Sequence, residues 1–403
     1  MQEKIVGFFG LFVLLGLAYA MSNNRRAIKW RVVVMGTVFQ VVFAMLILWT
    51  EAGKAFFAKA TDVVTAFLNF VDAGAAFIFG PGFGEHLFAF KVLPTIIFFS
   101  SFITVLYYLG LIQWIVKGFA WLMMRVMGTS GAESLSASAN IFVGQTEAPL
   151  LIRPYVSTMT LSELNAVMVG GFATIAGGVM AAYVAMGIPA GHLIAASVMS
   201  APAALVMAKL MFPETEESVT AGTVKIEVER PWANVIDAAA TGAGEGLKLA
   251  LNVGAMLLAF IALIAAFNAL LGVIGGWIGL PGLSLELLFG YLGRPLAWIM
   301  GVPWAEADKV GQLLGVKTVI NEFVGYQQMS EMIKNNQITE RSMIIATYAL
   351  CGFSNFSSIA IQIGGIGSMA PERRSDLARL GLKAMIAGSL ACFQTAVIAG
   401  LLL

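Results

Sequence analysis

The sequence predicts an all-α polytopic membrane protein. Three observations carry that reading. Only 12% of the 403 residues are Asp, Glu, Lys or Arg, about half of the roughly 25% of an ordinary soluble domain. Hydrophobic residues make up 59%. Residues 92–116, 164–208, 249–285, 342–371 and 384–403 hold no charged side chain, and a spanning helix needs about 20 mostly apolar residues. This composition excludes a cytosolic enzyme and a disordered regulator. The formal net charge of +1 lacks the basic surface of a nucleic-acid binder.

The elements follow in order. The apolar stretch 5–21 has no strong basic region before it, and a second apolar run follows at 32–49, so both are retained helices and not a signal peptide. Residues 53–80 mix Lys54, Lys59, Asp62 and Asp72 with Phe and Ala, which suits an amphipathic helix at the membrane interface. The run 164–208 is too long for one span and divides at the turn Gly187-Ile188-Pro189. Eight spans result, near 5–22, 31–50, 92–116, 163–186, 190–211, 248–271, 340–363 and 380–402. Residues 213–235, with Glu214, Glu216, Glu217, Lys225, Glu227, Glu229 and Arg230, form an aqueous loop between two halves. The basic clusters Arg25, Arg26, Lys29, Arg31 and Arg373, Arg374, Arg379, Lys383 mark cytoplasmic loops and place the N-terminus outside.

Two windows repeat one pattern, 133–186 and 306–363. Each opens with a segment broken by a polar cluster, Gly144-Gln145-Thr146-Glu147 in the first and Asn321-Glu322 in the second. Each continues through a helix-start threonine, in Thr160-Leu161-Ser162-Glu163 (a capping box) and Thr339-Glu340. Each ends in an apolar helix interrupted by small and polar residues, 172–178 and 353–358. Segments 133–155 and 310–333 are too interrupted to span, so each is expected as a re-entrant hairpin of two half-helices. Thr146 and Asn321 would cap the second half-helices, with Glu147 and Glu322 in their first turns. Non-helical backbone at membrane depth is tolerated only inside protein or along a cavity, and paired broken segments point to a transporter's midplane site. The bland alternative is ordinary small-residue packing of membrane helices.

A carboxylate at membrane depth is a functional candidate by default, which singles out Glu147 and Glu322. The competing reading is a structural pair with Arg153 or Lys317. Gln145, Thr146 and Asn355 offer donors and acceptors for a polar solute, against a role in interhelical hydrogen bonding. The Asn140 amide and exposed carbonyls at a helix break suit a hard cation such as Na+. His86 and His192 stand alone, in no metal-ligand spacing. Cys351 and Cys392 lie in apolar runs and read as small buried hydrophobes. The aromatic run Phe98, Phe99, Phe102, Tyr107, Tyr108 and Trp114 reads as lipid- or subunit-facing packing, and Asp237, Glu245 and Lys248 as an interfacial face. No P-loop is present, which argues against an ATP-driven pump.

Gly144-Gln145-Thr146-Glu147-Ala148-Pro149-Leu150, Asn321-Glu322-Phe323 and Gly352-Phe353-Ser354-Asn355-Phe356-Ser357-Ser358-Ile359 resemble the motifs of the concentrative nucleoside transporters, in that family's order and spacing. The likeness extends over nearly the whole chain and is greater to the bacterial sodium-coupled members than to the proton-coupled branch. The resemblance implies a homotrimer, each protomer having eight spanning helices, an interfacial helix and two re-entrant hairpins, with an inverted repeat and an elevator-type transport domain moving against a scaffold. It divides the chain into 1–126 (N-terminal helices and interfacial helix, mainly scaffold), 127–212 (first repeat, hairpin 133–155, unwound helix 163–186), 213–305 (polar loop and central scaffold helix) and 306–403 (second repeat, hairpin 310–333, unwound helix 340–363, C-terminal helix).

It also implies roles. Gln145 and Glu147 would hydrogen-bond the nucleobase, partly through water, with Thr146, Val179 and Phe353 beside it, and Glu322, Asn355 and Ser358 would bind the ribose hydroxyls. The chemistry of the residues agrees, because a carboxylate only accepts hydrogen bonds and a ribose diol can donate two. The sodium site would comprise Asn140, the Val143 carbonyl, Thr174 and Ile175. The expected protein is thus a symporter importing nucleosides such as uridine and adenosine with Na+, in the inner membrane of a bacterium. The rival expectations are proton coupling on the same fold, an intramembrane enzyme using Glu147 and Glu322 as an acid–base pair, and a passive channel.

Overall fold

The computed structural model describes residues 2–83, 88–222, 231–280 and 282–403, and these contain helices and no strand. His86, and Lys225, Glu227, Glu229 and Arg230 of the polar loop, lie outside the described residues.

The chain starts with α1 (Gln2–Ala20) and α2 (Trp30–Leu48). The basic cluster between them does local work. Arg25 donates to the Tyr19 and Ala20 carbonyls at the end of α1, at 3.2 and 2.7 Å, where a cation also meets the negative end of the helix dipole. Next come α3 (Glu51–Leu68) and α4 (Val71–Phe79). The expected interfacial segment is indeed helical here, yet 61–79 is long and apolar enough to cross a membrane. Phe67 on this segment packs on Phe98 and Phe102, with ring centroids 4.9 and 4.3 Å apart, so part of the aromatic run faces this chain rather than lipid. The expected single span 92–116 is two helices, α5 (Leu93–Tyr108) and α6 (Leu111–Met127). Gly110 separates them with φ +82°, a left-handed conformation that costs glycine least.

The first repeat supplies α7 (Gly131–Ala139), α8 (Arg153–Val156), α9 (Leu161–Ala173), α10 (Gly177–Ala185) and α11 (Ala190–Met211). A long α12 (Val235–Trp277) and α13 (Leu285–Ile299) connect it to the second repeat. That repeat supplies α14 (Ala307–Val319), α15 (Glu322–Lys334), α16 (Glu340–Leu350), α17 (Phe356–Met369) and α18 (Arg374–Leu402). Among the described residues, eight helices are long and apolar enough to span a bilayer. The count matches the expectation and the membership differs. Segment 61–79 joins the set, and the two repeats each contribute a broken pair: α9 and α10, of 13 and 9 residues, which together are long enough to count, and α16 and α17, of 11 and 14 residues, neither of which spans alone.

The core gathers around α11 and α18, which are buried over most of their length. α1 packs on α18, and α2 on α11. The buried Gln40 of α2 ties these together, donating to Met199 O and Thr395 Oγ1, each at 3.0 Å. The N-terminal helices are therefore continuous with the body that holds both repeats. α5 and α12 form a second pair. Their seam is set by Gly242 and Gly246, spaced as in small-residue membrane contacts. A Cβ on Gly246 would sit 2.8 Å from both Ile97 Cα and Ser100 Cβ, so the helices meet backbone to backbone. With 43 residues, α12 is about 65 Å long, twice the hydrocarbon thickness. Its outer face exposes Leu251, Leu258, Leu263, Phe267, Leu270 and Trp277. So large an apolar surface belongs against lipid or another copy of the chain.

Candidate functional site

The first hairpin enters through α7, every residue of which is buried. Its start is a capping box, Ser130 with Glu133, absent from the sequence reading. Small residues let α7 pack closely, and two of its three serines are satisfied within the helix: Ser134 and Ser138 donate to the carbonyls four residues back at 2.6 and 2.7 Å, while Ser136 Oγ is buried without a hydrogen-bond partner. At its base Lys209 Nζ lies 2.6 Å from Glu133 Oε2 and 3.4 Å from Glu214 Oε2, and donates to Ser162 Oγ at 2.8 Å. Glu214, expected in an aqueous loop, is thus turned inward.

The hairpin reverses at 140–147 and returns as a 3-10 segment, Ala148–Ile152, followed by α8. Here the expectation needs correcting. Thr146 caps no helix, and Glu147 precedes the 3-10 segment rather than standing in the first turn of an α-helix. Pro149 and Pro154 allow only a short, irregular return limb. Glu147 is exposed, folded over Gly144, whose missing Cβ leaves room for its carboxylate. Thr146 is half-buried against α17, where a Cβ on Gly365 would lie 2.9 Å from Thr146 Cγ2.

α9 opens with the expected capping box: Glu163 N donates to Thr160 Oγ1 and Thr160 N to Glu163 Oε2, both at 3.0 Å. The helix stops at Ala173, runs extended through Thr174, and resumes as α10 at Gly177. The break and the hairpin tip touch, because Gly177 N donates to Phe142 O at 3.2 Å. Asn140, Val143, Thr174 and Ile175 are all buried here. α9 passes close under Asn140, since a Cβ on Gly170 would meet Asn140 Nδ2 at 3.2 Å. Asn140 Nδ2 donates to Ser136 O at 3.0 Å, and Asn140 Oδ1 is buried without a hydrogen-bond partner. Thr174 Oγ1 donates to Gly170 O at 2.9 Å, which leaves its lone pairs available. A buried acceptor with no donor, beside further oxygens, fits an alkali cation. Among the described residues no cluster of His, Cys, Asp and Glu offers a site for a softer metal.

In the second repeat α14 and α15 meet at Asn321, which caps α15 as expected by accepting from Val324 N at 2.9 Å. Glu322 follows in the first turn, 4% exposed, at the positive end of the helix dipole. α16 ends at Leu350, and α17 starts after Asn355, so the second break is 351–355. Asn355 Oδ1 caps α17 by accepting from Ser358 N at 2.9 Å and from Ser357 Oγ at 2.7 Å. That commitment turns its amide nitrogen to Glu322 Oε2, 3.1 Å away. The other oxygen, Oε1, accepts from the Tyr183 hydroxyl at 3.0 Å. Tyr183 comes from α10, fully buried, its ring 4.1 Å from Tyr326 and 5.4 Å from Phe323. Glu322 is therefore held by two neutral donors. Lys317, the candidate structural partner, instead donates to Ala349 O at 2.8 Å, at the carbonyl end of α16.

The two breaks join. Phe353 N donates to Thr174 O at 3.2 Å, and the Cys392 thiol reaches Ala173 O at 3.6 Å and Cys351 O at 3.3 Å. Both cysteines are buried and free. From the first hairpin Gln145 Nε2 donates to Ser358 Oγ at 3.2 Å, and the fully buried Gln362 of α17 donates to Gln145 Oε1 at 3.1 Å. Gln145, Ser358, Asn355 and Glu322 thus form one connected polar set. Val179 is buried on α10 and Phe353 half-buried in the second break. Glu147 differs from Glu322 in depth: one is exposed, the other enclosed. Tyr183, Gln362 and the Glu133–Lys209 pair escaped the sequence reading. Gln362 carried a readable signal, a glutamine in a charge-free apolar run.

Three family patterns match the chain: "Na+ dependent nucleoside transporter N-terminus" over 9–82, "Nucleoside recognition" over 89–190, and "Na+ dependent nucleoside transporter C-terminus" over 192–400. An "Uncharacterized transporter" of Haemophilus influenzae is 51% identical, over 99% of this chain and 98% of its own length. "Sodium/nucleoside cotransporter 1" of Homo sapiens is 43% identical over 99% of this chain, which spans 64% of that longer protein. The transporter CNTnw in an inward-facing substrate-bound state superposes with a TM-score of 0.94 at 45% identity, over 99% of this chain and 98% of that one. A variant of CNTnw in an outward-facing state gives a TM-score of 0.94 at 44% identity, over 100% of this chain and 98% of that one.

Proposed function

Because the chain belongs to the Na+-dependent nucleoside transporter family, we propose that it is a symporter that carries nucleosides such as uridine and adenosine into a bacterial cell with Na+. The observation that carries this reading is the Glu322 carboxylate, enclosed at a helix start and held by the side chains of Tyr183 and Asn355. Each carboxylate oxygen keeps lone pairs for a donor, and a ribose diol supplies two. Asn355 and Ser358 flank the same place. Gln145, Thr146, Glu147, Val179 and Phe353 surround the base, with Glu147 reaching it from the exposed side of the hairpin tip. Na+ takes Asn140 Oδ1, the Val143 carbonyl, and oxygens of Thr174 and Ile175.

Coupling follows from position. The cation site lies under the tip that carries Gln145, so Na+ orders the tip for the nucleoside. By linkage the nucleoside strengthens Na+ binding by the same factor. No covalent step is involved. The inward- and outward-facing states of CNTnw support alternating access in this chain too. The exposed apolar face of α12 supports a homotrimer in which α5 and α12 form the fixed frame, against which the repeats 127–212 and 306–403 move as an elevator. Packing of α1 and α2 on α18 and α11 favours grouping those helices with the repeats, rather than with the frame that the resemblance gave 1–126.

Tracer uptake into proteoliposomes tests the reading, with Na+ and pH gradients imposed separately. Uphill uridine accumulation driven by Na+ alone is the expected result. Accumulation driven only by a proton gradient overturns the ion, equilibration without accumulation indicates a channel, and a chemically altered nucleoside indicates an enzyme.

A further inference from the structure

Gln362 has one feature that fixes more than its own orientation. Its Nε2 lies 3.1 Å from Gln145 Oε1 and 3.1 Å from Met168 O. A backbone carbonyl carries no hydrogen, so the Gln362 atom that faces Met168 must be the nitrogen. The same nitrogen faces Gln145, so the Gln145 atom that receives it must be the oxygen. The Gln145 nitrogen then points the other way, 3.2 Å from Ser358 Oγ. A carbonyl of α9 thereby sets two amides in sequence. Turning Gln362 over would press its oxygen against Met168 O and Gln145 Oε1 in a site closed to water. The present orientation leaves only Gln362 Oε1 without a hydrogen-bond partner. Gly171 provides the room, since a Cβ there would lie 2.8 Å from both Gln145 Cβ and Gln362 Nε2.

Resting on the nucleoside reading above, we propose that Gln362 is a specificity-determining positioning residue. It locks Gln145 as a hydrogen-bond donor towards the base, so that the transported base must present an acceptor, a carbonyl oxygen or an unprotonated ring nitrogen, to Gln145. One Gln145 N–H goes to Ser358, and the second is the one offered to the base. Ser358, accepting from Gln145, keeps its own hydrogen to donate to a sugar oxygen. The polarity of the base contact and of one sugar contact is therefore written into α9 and α17 before any solute arrives. A base edge that presents N–H at that point is disfavoured, because two donors then face each other and neither finds its acceptor.

The test is competition against labelled uridine uptake in proteoliposomes of the full-length protein under a Na+ gradient. The competitors are ribosides altered at one base acceptor at a time: 1-, 3- and 7-deaza-adenosine, which each lack one ring-nitrogen acceptor, and 4-deoxo-uridine, in which the acceptor O4 is lost and the acceptor moves to the now unprotonated N3. In the wild type at least one deletion weakens competition about tenfold. In Gln362→Met, which keeps the length and removes both donors, the same deletion costs no more than about twofold, because Gln145 is free to turn, while discrimination against 2′-deoxyribosides holds. A wild type indifferent to every acceptor deletion overturns the proposal, as does an unchanged ratio in Gln362→Met. If Gln362→Met does not fold, Gln145→Glu decides, since it keeps the acceptor towards Gln362 and turns the other end, which faces Ser358 and the base, from donor to acceptor. That variant turns preference towards bases with an N–H at the sensitive position, and an unchanged preference refutes the assignment. Failure of the nucleoside reading looks different: the wild type then takes up no nucleoside at all.

Discussion

Removing one oxygen atom tests the mechanics of Glu322. Tyr183→Phe deletes the hydroxyl 3.0 Å from Glu322 Oε1 and leaves the ring in place against Tyr326 and Phe323. A hydrogen bond to a charged group contributes about 1.5–3 kcal/mol, or about 10- to 150-fold in an equilibrium constant. Part of that loss falls on folding, because Glu322 is enclosed before a sugar arrives. The rest falls on binding, because Oε1 is no longer aimed. The uridine Kd at saturating Na+ should therefore rise about tenfold, the lower end of that range. A 2′,3′-dideoxy nucleoside, with no diol for the carboxylate, should bind as before. Calorimetry on purified protein in detergent measures both ligands, and thermal unfolding of the same sample separates the folding share. Equal weakening of the ribo- and dideoxy-nucleosides would show that Tyr183 acts only through packing. A uridine Kd unchanged in a folded variant would remove Tyr183 from the site.

Three further outcomes follow from the same geometry. Glu322→Gln should keep the fold and lose transport: Asn355 Oδ1 is committed to Ser358 and Ser357, so the new carbonyl takes the Asn355 amide and the new NH2 meets a tyrosine hydroxyl that can accept. Uptake should drop about 100-fold with little change in thermal unfolding, and a large fall in stability would contradict the argument. Asn140→Leu removes the unpartnered Oδ1, so half-saturation by Na+ should rise tenfold or more, at roughly 1.4 kcal/mol per decade, and the Na+ dependence of the uridine Kd should move to correspondingly higher Na+. Titration of Na+ at fixed uridine, then the reverse, checks both halves. Lys209→Met strands Glu133 and Glu214 beside an empty position and should cost about 3–5 kcal/mol in unfolding measurements. Adding Glu133→Gln should recover much of it, and a double variant no better than the single would place the cost elsewhere.

The two hairpins and the two broken helices were legible because they violate the rules of lipid. Polar clusters and capping residues inside apolar runs have few explanations in a membrane. Asn321 and the Thr160–Glu163 box could be located to the residue, since a cap depends on local spacing. Tertiary partners were not legible in that way. Tyr183 reads as ordinary packing in an apolar helix until Glu322 stands opposite it. Glu147 and Glu322 looked equivalent by repeat position, yet Glu147 lies exposed ahead of a short 3-10 return limb, whereas Glu322 opens an α-helix and is enclosed against Tyr183 and Asn355. Helix ends also escaped where no charge marks them. α12 begins well before the expected span at 248, and the run 92–116 conceals a helix break at Gly110. The seam between α5 and α12 depends on glycines whose spacing is common in any membrane helix.

The bond from Phe353 N to Thr174 O also has a consequence for biogenesis. The first break leaves its Thr174 carbonyl without a helical partner, and that partner is supplied by a residue of the second repeat. Chains are made from the N-terminus, so the first repeat reaches the membrane while the group that completes it has yet to be synthesised. An open backbone group in lipid is costly, so that repeat must wait with its break hydrated or held by other protein. Truncation after the first repeat should therefore yield a polypeptide that inserts but stays open to proteolysis. The two halves have become one folding unit, whose closing step comes when the second break docks on the first.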